Sequence, residues 1–342
     1  MTGQTKVERR ALVRGITAVS AAALPSTLLP NCVVAQAANP SSSAVSDRFE
    51  GAEIKVGDNT IFIRRYGNGS PLVMVHGFPR SSLMWRFVAP QLASNHTVIC
   101  VDLRGYARSG VPVSSEDHYP YTKRAMGNEL VALMDGLGFT KFDLVGHDRG
   151  GRVSYRPTLD HPEKVQRLAV FDVIPIAEAW ALADTKFAMT YWPWSLLSQK
   201  APLPEKYLLG APDAVFDNPF GSGSFGPEVK AEYLETYRDP TRVHAICEEY
   251  RAAAGLDIEH DQADQKTSKR ITCPMLHLWA AGGPLDSFYE AEGGALGIWR
   301  KWADNVQGRA VSGGHFFRRR TPGRRRSFSA SFCRPDTRSL LP

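Results

Sequence analysis

The sequence predicts an α/β fold, a mostly parallel sheet flanked by helices with a helical cap inserted into it. Three observations carry that prediction. Short apolar runs of strand length alternate with helix-like stretches through the first half of the 342 residues, the rhythm of βαβ units and a parallel sheet. The rhythm pauses from about Ala177 to Gln265, an aromatic-rich interval of helical pattern, and then resumes. Finally, Gly146-His147-Asp148-Arg149-Gly150 follows the apolar run Phe142–Val145. It reads as a sharp strand-to-helix turn whose flanking glycines leave room where side chains would collide.

Taken in chain order, residues 1–37 read as a twin-arginine export signal. Arg9-Arg10 precede the small and apolar stretch Ala11–Leu29, and Ala35-Gln36-Ala37 resembles a cleavage site. Arg14, Pro25 and Pro30 interrupt the stretch, which argues against a membrane-spanning helix. Pro30-Asn31 fits poorly before a lipoprotein cysteine at Cys32. The expected location is a bacterial periplasm, with a membrane met only in transit; if the extension is not a working signal, it is the cytoplasm. Residues 38–176 and 266–317 are assigned to the α/β core, 177–265 to the cap, and 318–342 to an Arg-rich tail expected to be disordered.

Within the core, Leu72–Val75 reads as a buried strand running into the tight loop His76-Gly77-Phe78-Pro79. Such a loop supplies a backbone oxyanion donor, here Phe78 N–H, paired with the N–H of Arg149 after the nucleophile position. Val98–Val101 is a second strand, and Asp102 and Arg104 after it are read as loop-holding residues with no chemistry. The turn at Asp148 carries aspartate where elbows of this kind usually carry serine. An ionised carboxylate there displaces a leaving group from saturated carbon and forms an ester on the protein itself. A helix-capping aspartate is the competing reading.

Leu168–Phe171 is a strand with Asp172 at its carboxyl end, and Gly313-Gly314-His315 places a histidine on a tight loop near the end of the fold. Catalytic groups in open α/β sheets gather beyond the carboxyl ends of strands, so Asp148, Asp172 and His315 are expected to converge there. His315 is then the base that activates water against the ester, with Asp172 fixing its tautomer. Asp286 is the alternative acid, after the late strand read over Ile271–Trp279. Arg149 and Arg152 lie three apart at the start of a helix and make an anion site with its N-terminus. Because Arg156 continues the row, a solvated basic face competes with that reading. Pro157 predicts that this helix is bent or short.

Charge separates the tail from the body. Eight arginines and one aspartate give residues 318–342 a charge of +7, above the +6 of the whole chain. With +3 on residues 1–37, the body between is left at −4, which does not suggest a nucleic-acid enzyme. The tail reads more like an altered reading frame than a selected domain, with an arm for nucleic acid or an acidic surface as the other reading. The five cysteines, Cys32, Cys100, Cys247, Cys273 and Cys333, show no paired spacing for zinc or disulfides, and Cys100 and Cys273 are expected to be buried thiols. No metal, flavin or nucleotide motif is present, and no cofactor is expected.

These residues resemble the haloacetate dehalogenases of the α/β-hydrolase superfamily, among them the fluoroacetate dehalogenases. The resemblance runs from about Phe49 to Phe317 and rests on His76–Pro79, Asp102–Tyr106, Gly146–Arg152, Asp172, Cys247–Ala252 and Gly314–Phe317. It implies an α/β-hydrolase fold with Asp148 as nucleophile, His315 as base and Asp172 as its acid partner. It also implies that Arg149 and Arg152 clamp the carboxylate of a small haloacid, while Trp194 and Tyr250 donate to the departing halide. A homodimer is an open option.

The chain departs from the family at Pro193, where a halide-binding histidine usually precedes the tryptophan. Losing one such donor costs roughly 2.7–4 kcal/mol in comparable anion sites, so chloroacetate and bromoacetate are expected to react better than fluoroacetate. Epoxide hydrolase is the competing function, using Tyr250 and another cap tyrosine as acids. Against it stands Arg149, since a neutral epoxide needs no pair of cations. A catalytically impaired protein, whose altered tail leaves His315 poorly held, is the reading from another class.

Overall fold

The computed structural model describes residues 51–216 and 226–316. The expected export signal, the Arg-rich tail and Phe317 lie outside the described residues. One sheet is built from β1 (Gly51–Val56), β2 (Asn59–Tyr66), β3 (Ser70–Val75), β4 (His96–Val101), β5 (Phe142–His147), β6 (Val165–Phe171), β7 (Met275–Ala280) and β8 (Val306–Val311). Their spatial order is β1-β2-β4-β3-β5-β6-β7-β8. The pairs β1/β2 and β2/β4 are antiparallel, and every other pair is parallel. Every residue of β4 and β5 is buried, as expected of central strands covered on both faces.

The helices are α1 (Ala89–Leu92), α2 (Lys123–Gly136), α3 (Arg149–Asp160), α4 (Ile176–Ala181), α5 (Thr185–Thr190), α6 (Trp192–Leu197), α7 (Leu203–Gly210), α8 (Pro227–Arg238), α9 (Pro240–Ala253), α10 (Leu256–Lys266) and α11 (Gly294–Trp302). From α4 to α10 the chain makes no strand among the described residues, so this interval is a helical excursion between neighbouring strands β6 and β7. Strand order reverses between β3 and β5, which pair with Val75 opposite Gly146. A crevice beyond the carboxyl ends of the strands at such a reversal is where α/β sheets bind ligands. The His76–Pro79 loop, the Asp148 turn and Asp172 all leave from those ends.

Two local expectations change, the start of the late strand and the burial of Cys273. The late strand begins at Met275, not Ile271, which makes a single bridge to Ala303. Pro274 has no N–H to donate and so starts the strand without continuing it backwards. Helix α3 carries Pro157 within its last turn and ends at Asp160. It also packs unusually close to α2, because a Cβ on Gly127 would stand 2.7 Å from Pro157 Cδ. Cys100 and Cys247 are buried thiols, whereas Cys273 is half-buried.

That contact yields a stability prediction. Overpacking a core typically costs about 1–3 kcal/mol, while alanine in place of helical glycine returns roughly 0.5–1 kcal/mol. Gly127→Ala is therefore expected to destabilise the fold, and adding Pro157→Ala to restore most of the loss. Urea unfolding of the wild type and the two variants tests this, and a Gly127→Ala protein more stable than wild type refutes it.

Candidate active site

Asp148 sits at the turn between β5 and α3 with φ 50° and ψ −120°. Such a conformation costs a non-glycine residue on the order of 1–3 kcal/mol and persists only where its surroundings enforce it. They do so by close backbone approach. A Cβ on Gly146 would lie 2.3 Å from the Gly150 carbonyl, and one on Gly150 would lie 2.2 Å from the His76 carbonyl. The Asp148 N–H donates to the Phe171 carbonyl at 3.1 Å, tying the turn to β6.

The carboxylate is held from two sides. Phe78 N–H donates to Oδ1 at 3.0 Å, so the donor expected from the His76–Pro79 loop is in place. Arg152 Nη1 lies 3.5 Å from Oδ2. A Cβ on Gly77 would come within 2.5 Å of Oδ1 and 2.8 Å of Arg149 N, so only glycine lets the loop reach the carboxylate.

His315 reaches the same place from the loop after β8. Its Nδ1 bonds Asp172 Oδ2 at 2.5 Å, and Asp172 Oδ1 accepts from Ala280 N–H at 2.9 Å. With Nδ1 engaged, Nε2 is the nitrogen left for proton transfer. Asp286 lies elsewhere, its carboxylate accepting from Trp279 Nε1 and Gly282 N–H, each at 2.9 Å. Burial alone would lower the His315 pKa, but the hydrogen bond and charge of Asp172 outweigh it and the value is raised. Burial would likewise raise Asp172, yet its bond to His315 brings it below the ordinary range.

His147, in the turn itself, donates from Nε2 to the His315 carbonyl at 2.8 Å. Its burial, with the neighbouring His315, lowers its pKa to about 3 and keeps it neutral. Sequence reading passed over this residue, although its place beside Asp148 in the turn was the available signal.

The arginine row is buried, not solvated. Arg149 is 0% exposed, Arg152 5% and Arg156 1%. Arg156 is consumed by Asp160, Asp261 and Asp264. Arg149 donates from Nε to Glu249 Oε1 at 2.8 Å and from Nη2 to the Glu249 carbonyl at 3.2 Å. Arg149 Nη1 and Arg152 Nε are buried without a hydrogen-bond partner. Tyr250 covers the Arg149 guanidinium at 4.1 Å, and Trp194 covers that of Arg152 at 4.6 Å.

Asp148, His315, Trp194, Tyr250 and Phe78 line one cavity together with Tyr191 and Pro193. It measures about 40 Å³, room for about three waters at ~10–15 Å³ each. Arg149 and Arg152 do not line its wall but stand behind the aromatic rings. Asp102 and Arg104, given no chemistry, serve the loops: Asp102 accepts from Ser82 N–H at 2.7 Å, and Arg104 pairs with Glu129 at 2.9 Å. Among the described residues, no group of three or more His, Cys, Asp or Glu is arranged to hold a metal ion.

Similarity to known proteins follows the same outline. A family model described as the alpha/beta hydrolase fold matches residues 70–205. A fluoroacetate dehalogenase from Burkholderia sp. is 40% identical over 80% of this chain and 91% of its own length. A soluble epoxide hydrolase from Corynebacterium sp. (strain C12) is 31% identical over 73% of this chain and 85% of its own. The crystal structure of a putative alpha/beta hydrolase from Nostoc sp. PCC 7120 superposes with a TM-score of 0.73 at 38% identity, covering 79% of this chain and 92% of that one.

The His315–Asp172 pair yields a pH prediction. The raised histidine stabilises the fold in full below its ordinary 6.5 and loses that contribution as pH rises through its folded value. The lowered aspartate stabilises in full above its ordinary 3.8 and loses that as pH falls through its folded value. Asp172→Asn is therefore expected to cost most between about pH 4 and 6.5 and progressively less above. Unfolding midpoints across pH check this; a penalty that grows toward alkaline pH contradicts it.

Proposed function

The chain belongs to the α/β-hydrolase superfamily and, within it, to the family of haloacetate dehalogenase-like hydrolases, and from that premise we propose that it is a hydrolytic dehalogenase. In this reading a haloacetate becomes glycolate and halide. Its main support is the pair of buried guanidiniums beside Asp148, each with a side-chain nitrogen that meets no partner. Leaving a buried charged donor unmet costs stability. A carboxylate that passed the Trp194 and Tyr250 rings to reach those nitrogens would relieve that cost and have its α-carbon aimed at Asp148.

The proposed chemistry has two steps. Asp148 Oδ2 attacks the α-carbon, the carbon–halogen bond breaks, and Trp194 and Tyr250 donate to the departing halide. The ester formed is then attacked at Asp148 Cγ by water, whose proton passes to His315 Nε2. Negative charge develops on Oδ1, where Phe78 N–H and the N–H of Arg149 stabilise it. Collapse of the intermediate breaks the bond to glycolate, whose oxygen takes the proton from His315. The restored aspartic acid ionises, so one proton is released per turnover. Asp172 stabilises the imidazolium throughout, and the aromatic walls keep bulk water from the carboxylate nucleophile.

A second reading, epoxide hydrolysis, is favoured by one observation. Tyr191 and Tyr250 both line the cavity with Asp148, so two phenols are available to protonate an opened epoxide. Diol formation from a small aliphatic epoxide, faster than halide release from any haloacetate, would select it.

Halide release measured by ion chromatography tests the primary reading. Chloroacetate is expected to release halide faster than fluoroacetate by roughly 10²–10³, the effect of one missing donor at an anion site. Asp148→Asn is expected to abolish release, and His315→Gln to accumulate a carboxymethyl ester on Asp148, seen by peptide mass mapping. Halide release that survives Asp148→Asn rules out the mechanism, and equal rates for the two substrates rule out the role given to Pro193.

A further inference from the structure

We propose that Glu249 is the positioning residue of the carboxylate site: it fixes the Arg149 guanidinium in the orientation that leaves Nη1 for an anion. The proposal rests on the dehalogenase reading above and extends it to a residue outside the cavity wall. Glu249 engages two of the three guanidinium nitrogens at once. Its Oε1 accepts from Nε at 2.8 Å and its carbonyl from Nη2 at 3.2 Å. With those two directions occupied, the guanidinium plane is set and Nη1 is left buried without a partner, behind the Tyr250 ring that lines the cavity.

Glu249 is itself held from other elements. Lys123, the first residue of α2, approaches Oε1 at 2.8 Å, and Tyr106 donates to Oε2 at 3.0 Å. Lys123 is anchored in turn by Asp257, whose Oδ1 accepts its backbone N–H at 2.8 Å. Tyr250, the next residue along α9, lays its ring against the guanidinium. Helix α9 thus grips Arg149 with two consecutive residues.

A packing role alone does not account for this cluster. Lys123 and Arg149 are 0% exposed, and Tyr106, Glu249 and Asp257 1% each. Buried ion networks are often no more stable than well-packed apolar side chains of the same volume. What charges add at such a place is direction. Burial would raise the Glu249 pKa, but Arg149 and Lys123 hold it down to about 2, so the anchor stays ionised at any working pH. Without Glu249, two buried cations would face each other and Arg149 would lose its fixed plane.

The test is calorimetric titration with acetate, a carboxylate that carries no leaving group, beside chloroacetate kinetics on the same full-length proteins. Glu249→Gln is expected to weaken acetate binding and raise KM for chloroacetate by about tenfold or more, the effect of a charge-assisted hydrogen bond. Arg149→Gln is expected to do at least as much, and the double variant no more than Arg149→Gln alone. Losses that add in the double variant overturn the proposal, because a residue acting through Arg149 has nothing left to act on. If Glu249→Gln fails to give a cooperative melt, Tyr106→Phe replaces it. It is expected to weaken acetate binding about two- to fivefold, as for loss of one neutral hydrogen bond, and unchanged affinity overturns the proposal. Wild-type protein that binds acetate but releases no halide removes the dehalogenase reading while the Glu249 comparison still stands. Wild-type protein that does not bind acetate overturns the proposal itself.

Discussion

The site depends on one close contact, between the glycine-walled turn at Asp148 and the loop that follows β3. Gly146, Gly150 and Gly77 let three stretches of backbone approach to distances that any Cβ would forbid. The contact holds Asp148 at a positive φ, brings Phe78 N–H onto Oδ1 and sets Arg149 at the head of α3. Strain stored at the turn is kept by the sheet, since the Asp148 N–H is bonded to β6. A carboxylate on a mobile loop would lose this orientation.

Burial of charge is the second organising constraint. Asp172 and His315 share one strong bond, and the pair gains in ionised form what burial takes away. Arg149, Arg152 and Lys123 are all removed from water; Arg149 and Lys123 are balanced by a carboxylate from another element, Glu249, and Arg152 by Asp148 at the head of its own helix. Helix α9 supplies Glu249. The helical excursion between β6 and β7 therefore contributes more than a cover, because it sets the charge environment of Arg149, the residue after Asp148. Aromatic rings from the same excursion stand between the guanidiniums and the cavity, Tyr250 over Arg149 and Trp194 over Arg152.

Much of the site was legible because its chemistry is local. Asp148 between glycines, the His76–Pro79 loop after an apolar run, Asp172 at a strand end and His315 after two glycines each carry their own signal over a few residues. The central strands were legible for a related reason: buried on both faces, they read as continuous apolar runs. The edge strands β1 and β8 gave no such signal, because exposed edge strands mix polar and apolar residues. Pro274 delayed the start of β7 because a missing N–H matters only once the neighbouring strand is known. The row Arg149, Arg152 and Arg156 left burial open, since helical spacing fixes a shared face but not what covers it.

By itself, then, the sequence determined the fold class and the order of its loops, and it singled out Asp148, His315 and Asp172 as candidates, with Asp286 left open beside Asp172. Each of those follows from residue type and short-range spacing. Tertiary structure alone decided that Asp172 and not Asp286 holds His315, that the arginines are buried, and that Glu249, Lys123, Tyr106 and His147 stand behind the reacting groups. These relations join residues up to 168 positions apart, as in His147 and His315. Their physical content is distance and exclusion of water, which the chain acquires only when its elements pack.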